Sequence, residues 1–146
     1  AIELLKYKNI LTIKKISSVY TTTPVSYPNQ PEFMNLVVEA ERAGTEFSSL
    51  SALSLLSAVK EIEKTIGRKA RLKNGPREID IDILDIDRKI LKTEKLQLPH
   101  PRMLYRKFAI IPLAEISPCY VHPPTGQPIG KILNNLHIFS DRVRRT

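Results

Sequence analysis

One cysteine, Cys119, is all the chain contains. It cannot form an internal disulfide, and no histidine or second cysteine stands beside it at metal-ligand spacing, which excludes a disulfide scaffold and a thiolate metal site. A reducing, cytoplasmic setting fits that usage. Long hydrophobic runs are missing too: the most apolar stretch, "FAIIPLAEI", is too short to cross a bilayer and is interrupted by Pro112. No signal-peptide pattern precedes the fold, and no repeat or low-complexity tract points to a solenoid. Negative charge is scarce, with 15 Asp and Glu against 23 Lys and Arg. The resulting positive field suits nucleic acid, nucleotides or an anionic membrane, and charge alone does not choose among them. What remains is 146 residues with 42% hydrophobic content, enough for one globular domain with its own core. The expectation is a single domain over residues 1–137 followed by a basic tail over 138–146.

"AIELLKYK" reads as the closing turns of an amphipathic helix without its start, so further residues are expected upstream. The β-branched run "NILTIKKISSVY" predicts a strand from Ile10 to Tyr20. Three prolines make "TTTPVSYPNQP" an irregular loop, and "EFMNLVVEAER" predicts a second strand, antiparallel to the first. Ser48 or Ser49 can cap the helix that follows, in which Leu55, Val59, Ile62 and Ile66 recur at i, i+4, i+7 and i+11. Leu56, Lys60 and Glu63 line the neighbouring stripe, and Gly67 closes the helix. The basic, turn-rich "RKARLKNGP" is expected to be a mobile loop delivering the chain to a strand, "EIDIDIL". "DRKILKTEKLQL" reads as a turn and a short extended segment. "PHPRMLYRKFAIIPLAEISP" reads as a helix entered through prolines and left at Ser117, with Pro112 kinking it or marking a boundary. A turn and short helix in "HPPTGQPIGKILNNL" and a solvated "RVRR" complete the chain. Two long helices among antiparallel strands define an α+β class, helices packed on a sheet.

Within "EIDIDIL", strand geometry puts Ile79, Ile81 and Ile83 on one face and Asp80 and Asp82 together on the other. Two neighbouring carboxylates repel each other when both are ionised, and a divalent cation is an economical compensation. Magnesium prefers oxygen ligands and is typically held by one or two carboxylates plus substrate phosphates. The pair by itself is equally well read as the solvent face of a strand. Basic residues crowd around it: Arg68, Lys69, Arg71, Lys73 and Arg77 before, and His100, Arg102 and Arg106 after. Guanidinium groups grip phosphate oxygens bidentately, so a cation with arginines indicates polyphosphate. Arg77 and Arg106, each beside an apolar segment, are read as functional, and Lys69 and Lys73 as solvated charges. His100, fixed between two prolines beside arginines, is a candidate phosphate-binding imidazole.

The stretches "TTTPVSYPNQPEFMN", "EKTIGR", "GPREIDIDIL", "LPHPRMLYRKFAIIPLAEI" and "HPPTG" together resemble the 6-hydroxymethyl-7,8-dihydropterin pyrophosphokinase family of folate biosynthesis. The resemblance runs from Tyr20 to Gly126. It implies a ferredoxin-like antiparallel sheet with helices packed on it, and transfer of pyrophosphate from ATP to the pterin hydroxymethyl group with release of AMP. It also implies two Mg2+ ions, with Asp80 and Asp82 as their ligands, and Arg68 and Arg77 beside them in the catalytic set. The ATP site would comprise Leu56, Lys60, Glu63, Arg77, His100 and Arg106, with Glu63 meeting a nucleotide hydroxyl or orienting an arginine. The pterin site would comprise Thr22, Thr23, Val25, Phe33, Asn35 and Phe108, the two aromatic rings sandwiching a flat heterocycle and Asn35 reading its edge. The family opens with a strand and a Gly-Ser-Asn turn that this sequence lacks. Its basic loop is also short, with Lys73 and Asn74 where the family often carries an aromatic lid residue. The expected partners are ATP and the pterin, with neither nucleic acid nor membrane, for a monomer or for an enzyme fused to or associated with a neighbouring folate-pathway enzyme. Two rival readings are a basic RNA-binding α+β domain, which explains the charge but not the aspartates, and a metal-dependent nuclease or ordinary kinase. The kinase would release ADP rather than AMP.

Overall fold

In a computed structural model, the described residues are 1–7, 11–23, 32–42, 49–67, 79–136 and 143–146. They contain helices and short antiparallel strand pairs, an α+β fold. Two compact units are distinguishable, one comprising Ala1–Ile13 with Ala40–His100, the other Lys14–Glu39 with Pro101–Thr146. No helix among the described residues is long and apolar enough to cross a membrane.

The first unit is organised by helix α2, Ser49–Thr65, which touches the short N-terminal helix α1, Ile2–Tyr7. The apolar spacing read from the sequence is the buried stripe: Val59 and Ile62 are inside, Leu55 and Ile66 half-buried, and Ala52 extends the stripe one turn earlier. Ser48 lies outside the described residues, and Ser49 begins the helix. Gly67 closes it with a left-handed backbone, φ 103°, and donates its N–H to the Lys64 carbonyl. Ala52 packs with Leu96 and Leu98, and Leu53, Leu56, Ile83, Ile86 and Leu91 surround that cluster. Leu98 reaches it because β5, Leu91–Lys92, and β6, Gln97–Leu98, form a hairpin pairing Leu91 with Leu98. The Thr93 hydroxyl ties the hairpin's ends, accepting from the Leu96 N–H and donating to its carbonyl.

Residues 79–83 were expected to form a strand. They alternate half-buried and exposed as a strand would, yet they belong to no ladder among the described residues. A side chain supplies the missing hydrogen bond, as described below.

In the second unit, β2, Tyr20–Thr22, is the middle strand of a three-stranded antiparallel sheet between β3, Phe33–Asn35, and β9, Val143–Arg145. Its register sets Tyr20 opposite Asn35 and Arg145, and Thr22 opposite Phe33 and Val143. The C-terminal residues, expected as a solvated tail, are therefore an edge strand, and the Thr146 N–H continues the pairing to the Val19 carbonyl at 2.9 Å. The exposed Arg144 and Arg145 side chains keep solvent on that edge.

Both long strands expected from the sequence are interrupted. The first divides into β1, Thr12–Ile16, and β2; the second divides into β3 and β4, Val38–Glu41, which pairs with β1. The break has a local cause. The Ser17 Oγ accepts the Val37 N–H at 2.9 Å, while the Ser18 N–H turns to the Glu115 carboxylate, so side chains take the backbone donors that a continuous ladder would use.

The helix expected from Pro99 onward begins only at Lys107. A 3₁₀ turn, Met103–Tyr105, precedes α3, Lys107–Ile116, because Arg106 is extended at φ −113° and ψ 99°. Pro112 lies buried inside α3 instead of ending it, as do Ala109, Ile110 and Ile116. Helix α3 packs on β2 and on α4, Ile129–Asn135. A small hairpin of β7, Val121–His122, and β8, Gln127–Pro128, precedes α4. Its turn needs Gly126 at φ 63°, and His122 Nδ1 is 3.0 Å from the Thr125 hydroxyl.

Candidate active site

In the first unit, helical spacing brings Leu56, Lys60 and Glu63 onto one side of α2. Leu56 is half-buried against the Ala52, Leu96 and Leu98 cluster. Glu63 has no exposed side-chain surface at all (0%), although it carries a carboxylate. Its Oε1 accepts the Ile81 N–H at 2.8 Å and its Oε2 accepts Lys60 Nζ at 3.1 Å. These contacts add a protein-facing role to the one expected for this group toward a nucleotide hydroxyl or an arginine. Enclosed by protein, the carboxylate takes the amide between Asp80 and Asp82.

Those two aspartates are exposed, with Ile79, Ile81 and Ile83 half-buried behind them. Ile83 reaches the Ala52 cluster. One residue beyond, the Leu84 carbonyl accepts the His100 N–H at 2.7 Å, so His100 is bonded to the same segment. Five of the sequence-derived residues, Lys60, Glu63, Asp80, Asp82 and His100, thus belong to one connected arrangement of helix and extended chain. Among the described residues, no group of three or more His, Cys, Asp or Glu is arranged to hold a metal, so the aspartates stand as a pair of oxygen donors.

In the second unit, β2 and β3 bring Thr22, Phe33 and Asn35 together. Asn35 Nδ2 donates to Thr22 Oγ1 at 3.0 Å and lies 3.3 Å from the Phe33 carbonyl, which fixes the amide's direction. Phe33 is 37% exposed. Arg106, the residue before α3, sets its guanidinium 5.4 Å from the centre of the Phe108 ring. A guanidinium assigned to phosphate and a ring assigned to the pterin are therefore in contact. Thr23 lines a cavity of about 640 Å³ between the sheet and helices α3 and α4, with Thr21, Lys107, Ile111, Leu133 and Arg144 among its walls. Phe33, Asn35 and Phe108 do not line it. Val25, Arg68 and Arg77 lie outside the described residues.

Glu115 was passed over in the sequence. It accepts the Ser18 N–H and hydroxyl, the latter at 2.7 Å, and the Tyr20 hydroxyl at 2.9 Å, and it pairs with Arg145 at 3.5 Å. The Ser18 hydroxyl above all, with Tyr20 and the Arg145 charge, holds its carboxyl below the usual range. Tyr20 responds in the opposite sense: burial first, then the bond to Glu115, pushes its phenol up. Lys15 bonds Glu39 at 2.9 Å and lowers its pKa in the same way. The available signal was that Glu115 is the one acid in a helix that is apolar from Phe108 onward.

Residues 1–118 match the family described as 7,8-dihydro-6-hydroxymethylpterin-pyrophosphokinase (HPPK). The chain is 41% identical over 124 residues to a 2-amino-4-hydroxy-6-hydroxymethyldihydropteridine pyrophosphokinase of Aquifex aeolicus, which covers 85% of this chain and 74% of that protein. It is 41% identical over 116 residues to the protein of the same name in Bacillus subtilis, covering 80% of this chain and 66% of that one. It is also 38% identical over 136 residues to the folic acid synthesis protein fol1 of Pneumocystis carinii, a longer protein of which the chain covers 17%.

Proposed function

Because the chain belongs to the 7,8-dihydro-6-hydroxymethylpterin-pyrophosphokinase family, ATP-dependent transferases of folate biosynthesis, we propose that it moves the pyrophosphoryl group of ATP onto 6-hydroxymethyl-7,8-dihydropterin. The hydroxymethyl oxygen bonds to the β-phosphorus, the bond from that phosphorus to the bridging oxygen on the α-phosphate breaks, AMP leaves, and the hydroxyl proton passes to water. The observation that carries the reading is the pair of exposed carboxylates on alternate residues, Asp80 and Asp82, with the amide between them bonded to a buried glutamate.

Two carboxylates as oxygen donors fit magnesium, which keeps waters and takes substrate phosphates as further ligands. Two magnesium ions held by Asp80 and Asp82 would neutralise phosphate charge and polarise the attacked phosphoryl group. The chain's own residues do the rest by placement. Arg106 and His100, with Arg68 and Arg77, are assigned to the phosphates, and Leu56 and Lys60 to the nucleotide. Phe33 and Phe108 are assigned to the pterin faces, Asn35 with Thr22 and Thr23 to its polar edge, and Val25 to its apolar side. Such a site accelerates the reaction by aligning attacking and leaving oxygens and by meeting the charge that develops. We assign the activity to a cytoplasmic monomer, or to one domain of a fused folate-pathway enzyme as the longer Pneumocystis relative suggests.

The test is to incubate the protein with ATP, magnesium and the dihydropterin, and to separate the adenine nucleotides by chromatography. AMP that forms only with the pterin, and is lost in Asp82→Ala, supports the reading. ADP in place of AMP would establish an ordinary kinase. Full AMP formation by folded Asp82→Ala would remove the aspartates from the site. Family membership favours this transferase reading over the RNA-binding one.

A further inference from the structure

A carboxylate with no exposed surface is expensive to bury unless protein groups replace its water. Around Glu63 those groups include the Ile81 N–H at 2.8 Å and the Lys60 ammonium at 3.1 Å, Lys60 itself being 43% exposed. The Ile81 amide sits between Asp80 and Asp82, in a segment that no strand ladder holds among the described residues. For such a segment the register is set by what its backbone and inward side chains meet. A slip of one residue would turn the aspartates inward, toward the buried Glu63 carboxylate, and the isoleucines outward. Like charges would then meet in a site shut off from water.

We propose that Glu63 is a positioning residue for the Asp80 and Asp82 pair: it takes the N–H between them, pins the register of residues 79–83, and so fixes the side on which both carboxylates stand. Ile83, packed on the Ala52 cluster, and the His100 N–H on the Leu84 carbonyl hold the segment's far end. Glu63 is the hold at its middle. A charge-assisted bond to a carboxylate is about twice as strong as a neutral one, which suits a backbone with no ladder among the described residues. The inference rests on reading Asp80 and Asp82 as cation ligands.

The experiment titrates the whole chain with Mn2+ alone, following free Mn2+ by electron paramagnetic resonance, in the native protein and in Glu63→Gln, Glu63→Ala and Asp82→Ala. Glu63→Ala should weaken Mn2+ binding about tenfold, as loss of a group orienting a ligand does. Glu63→Gln, whose amide oxygen accepts the same N–H but without the charge and with an NH2 facing Lys60, should weaken it clearly less than Glu63→Ala does. Native-like binding by folded Glu63→Ala, or equal weakening in both Glu63 variants, overturns the proposal, the second outcome assigning Glu63 a role through its charge. Native-like binding by Asp82→Ala would instead overturn the cation reading itself, so the two failures are distinguishable. Hydrogen exchange covers the case in which Glu63→Ala does not fold. The proposal requires the Ile81 amide to be protected in the native protein, and exchange at the unprotected rate refutes it.

Discussion

Replacing Ser17 by alanine removes one oxygen atom and leaves one specific donor stranded. Val37 is 8% exposed, and its N–H points at the Ser17 hydroxyl at 2.9 Å, while the Ser17 N–H returns a bond to the Val37 carbonyl, also at 2.9 Å. The alanine variant keeps the second bond and loses the first, together with the one that the Ser17 hydroxyl donates to the Ser18 carbonyl at 2.8 Å. No apolar contact of consequence is removed, so the cost is that of an unsatisfied amide shielded from water, about 1–3 kcal/mol. For a chain of this size each kcal/mol moves the melting midpoint by roughly 2–4 °C, which places the expected fall at about 2–12 °C by the same scaling. Urea unfolding followed by circular dichroism measures it, with the midpoint falling and the slope unchanged because the surface exposed on unfolding is the same. Ser18→Ala is the paired control. It loses a hydroxyl bond to Glu115 but keeps its own N–H on that carboxylate, so its loss should be smaller. A Ser17→Ala protein as stable as the native one, or less affected than Ser18→Ala, would refute the argument that this hydroxyl satisfies a buried amide and divides β1 from β2.

Other expectations follow from the same contacts. Glu115 and Glu39 have folded-state pKa values below their unfolded ones, so the stability they contribute is present above the unfolded values and drains away as pH falls through the folded ones. Unfolding midpoints should therefore decline below about pH 5, and Glu115→Gln should flatten that decline. Tyr20, raised by burial, acts at the other end: its contribution is complete below its ordinary pKa and lost as pH climbs through the higher folded value, so Tyr20→Phe should make the alkaline limb shallower. Ile62→Ala, at a position with 0% exposure in the α2 stripe, should cost about 2–5 kcal/mol in chemical denaturation, whereas a loss under 1 kcal/mol would mean the site collapses around the smaller residue. Gly126→Ala should cost about 1–2 kcal/mol through the left-handed backbone alone, since a Cβ there meets nothing within 4 Å, and Gly126→Asn should cost less.

Features set by neighbouring residues were legible in the amino-acid sequence. The spacing of Val59, Ile62 and their companions marked the buried side of α2 because helical periodicity is a property of the local backbone. The alternation in "IDIDI" marked Asp80 and Asp82 as sharing a side, and their burial pattern agrees. Motif order across the chain indicated the family before any fold was in view. Long-range choices were not legible. That residues 143–145 join β2 as a strand depends on a partner more than a hundred positions away, and a basic, polar run carries no record of it. That Glu115 gathers Ser18 and Tyr20, 97 and 95 positions earlier, follows from where α3 lies on the sheet. Glu63 is the sharpest case. Its helical position and its charge suggested a group facing a ligand, and neither carried any sign that it lies buried with an amide 18 positions along the chain among its partners. Periodicity states which side of an element a residue occupies, but the group a buried charge will meet is decided only when the chain has brought two segments together and water has been excluded from between them.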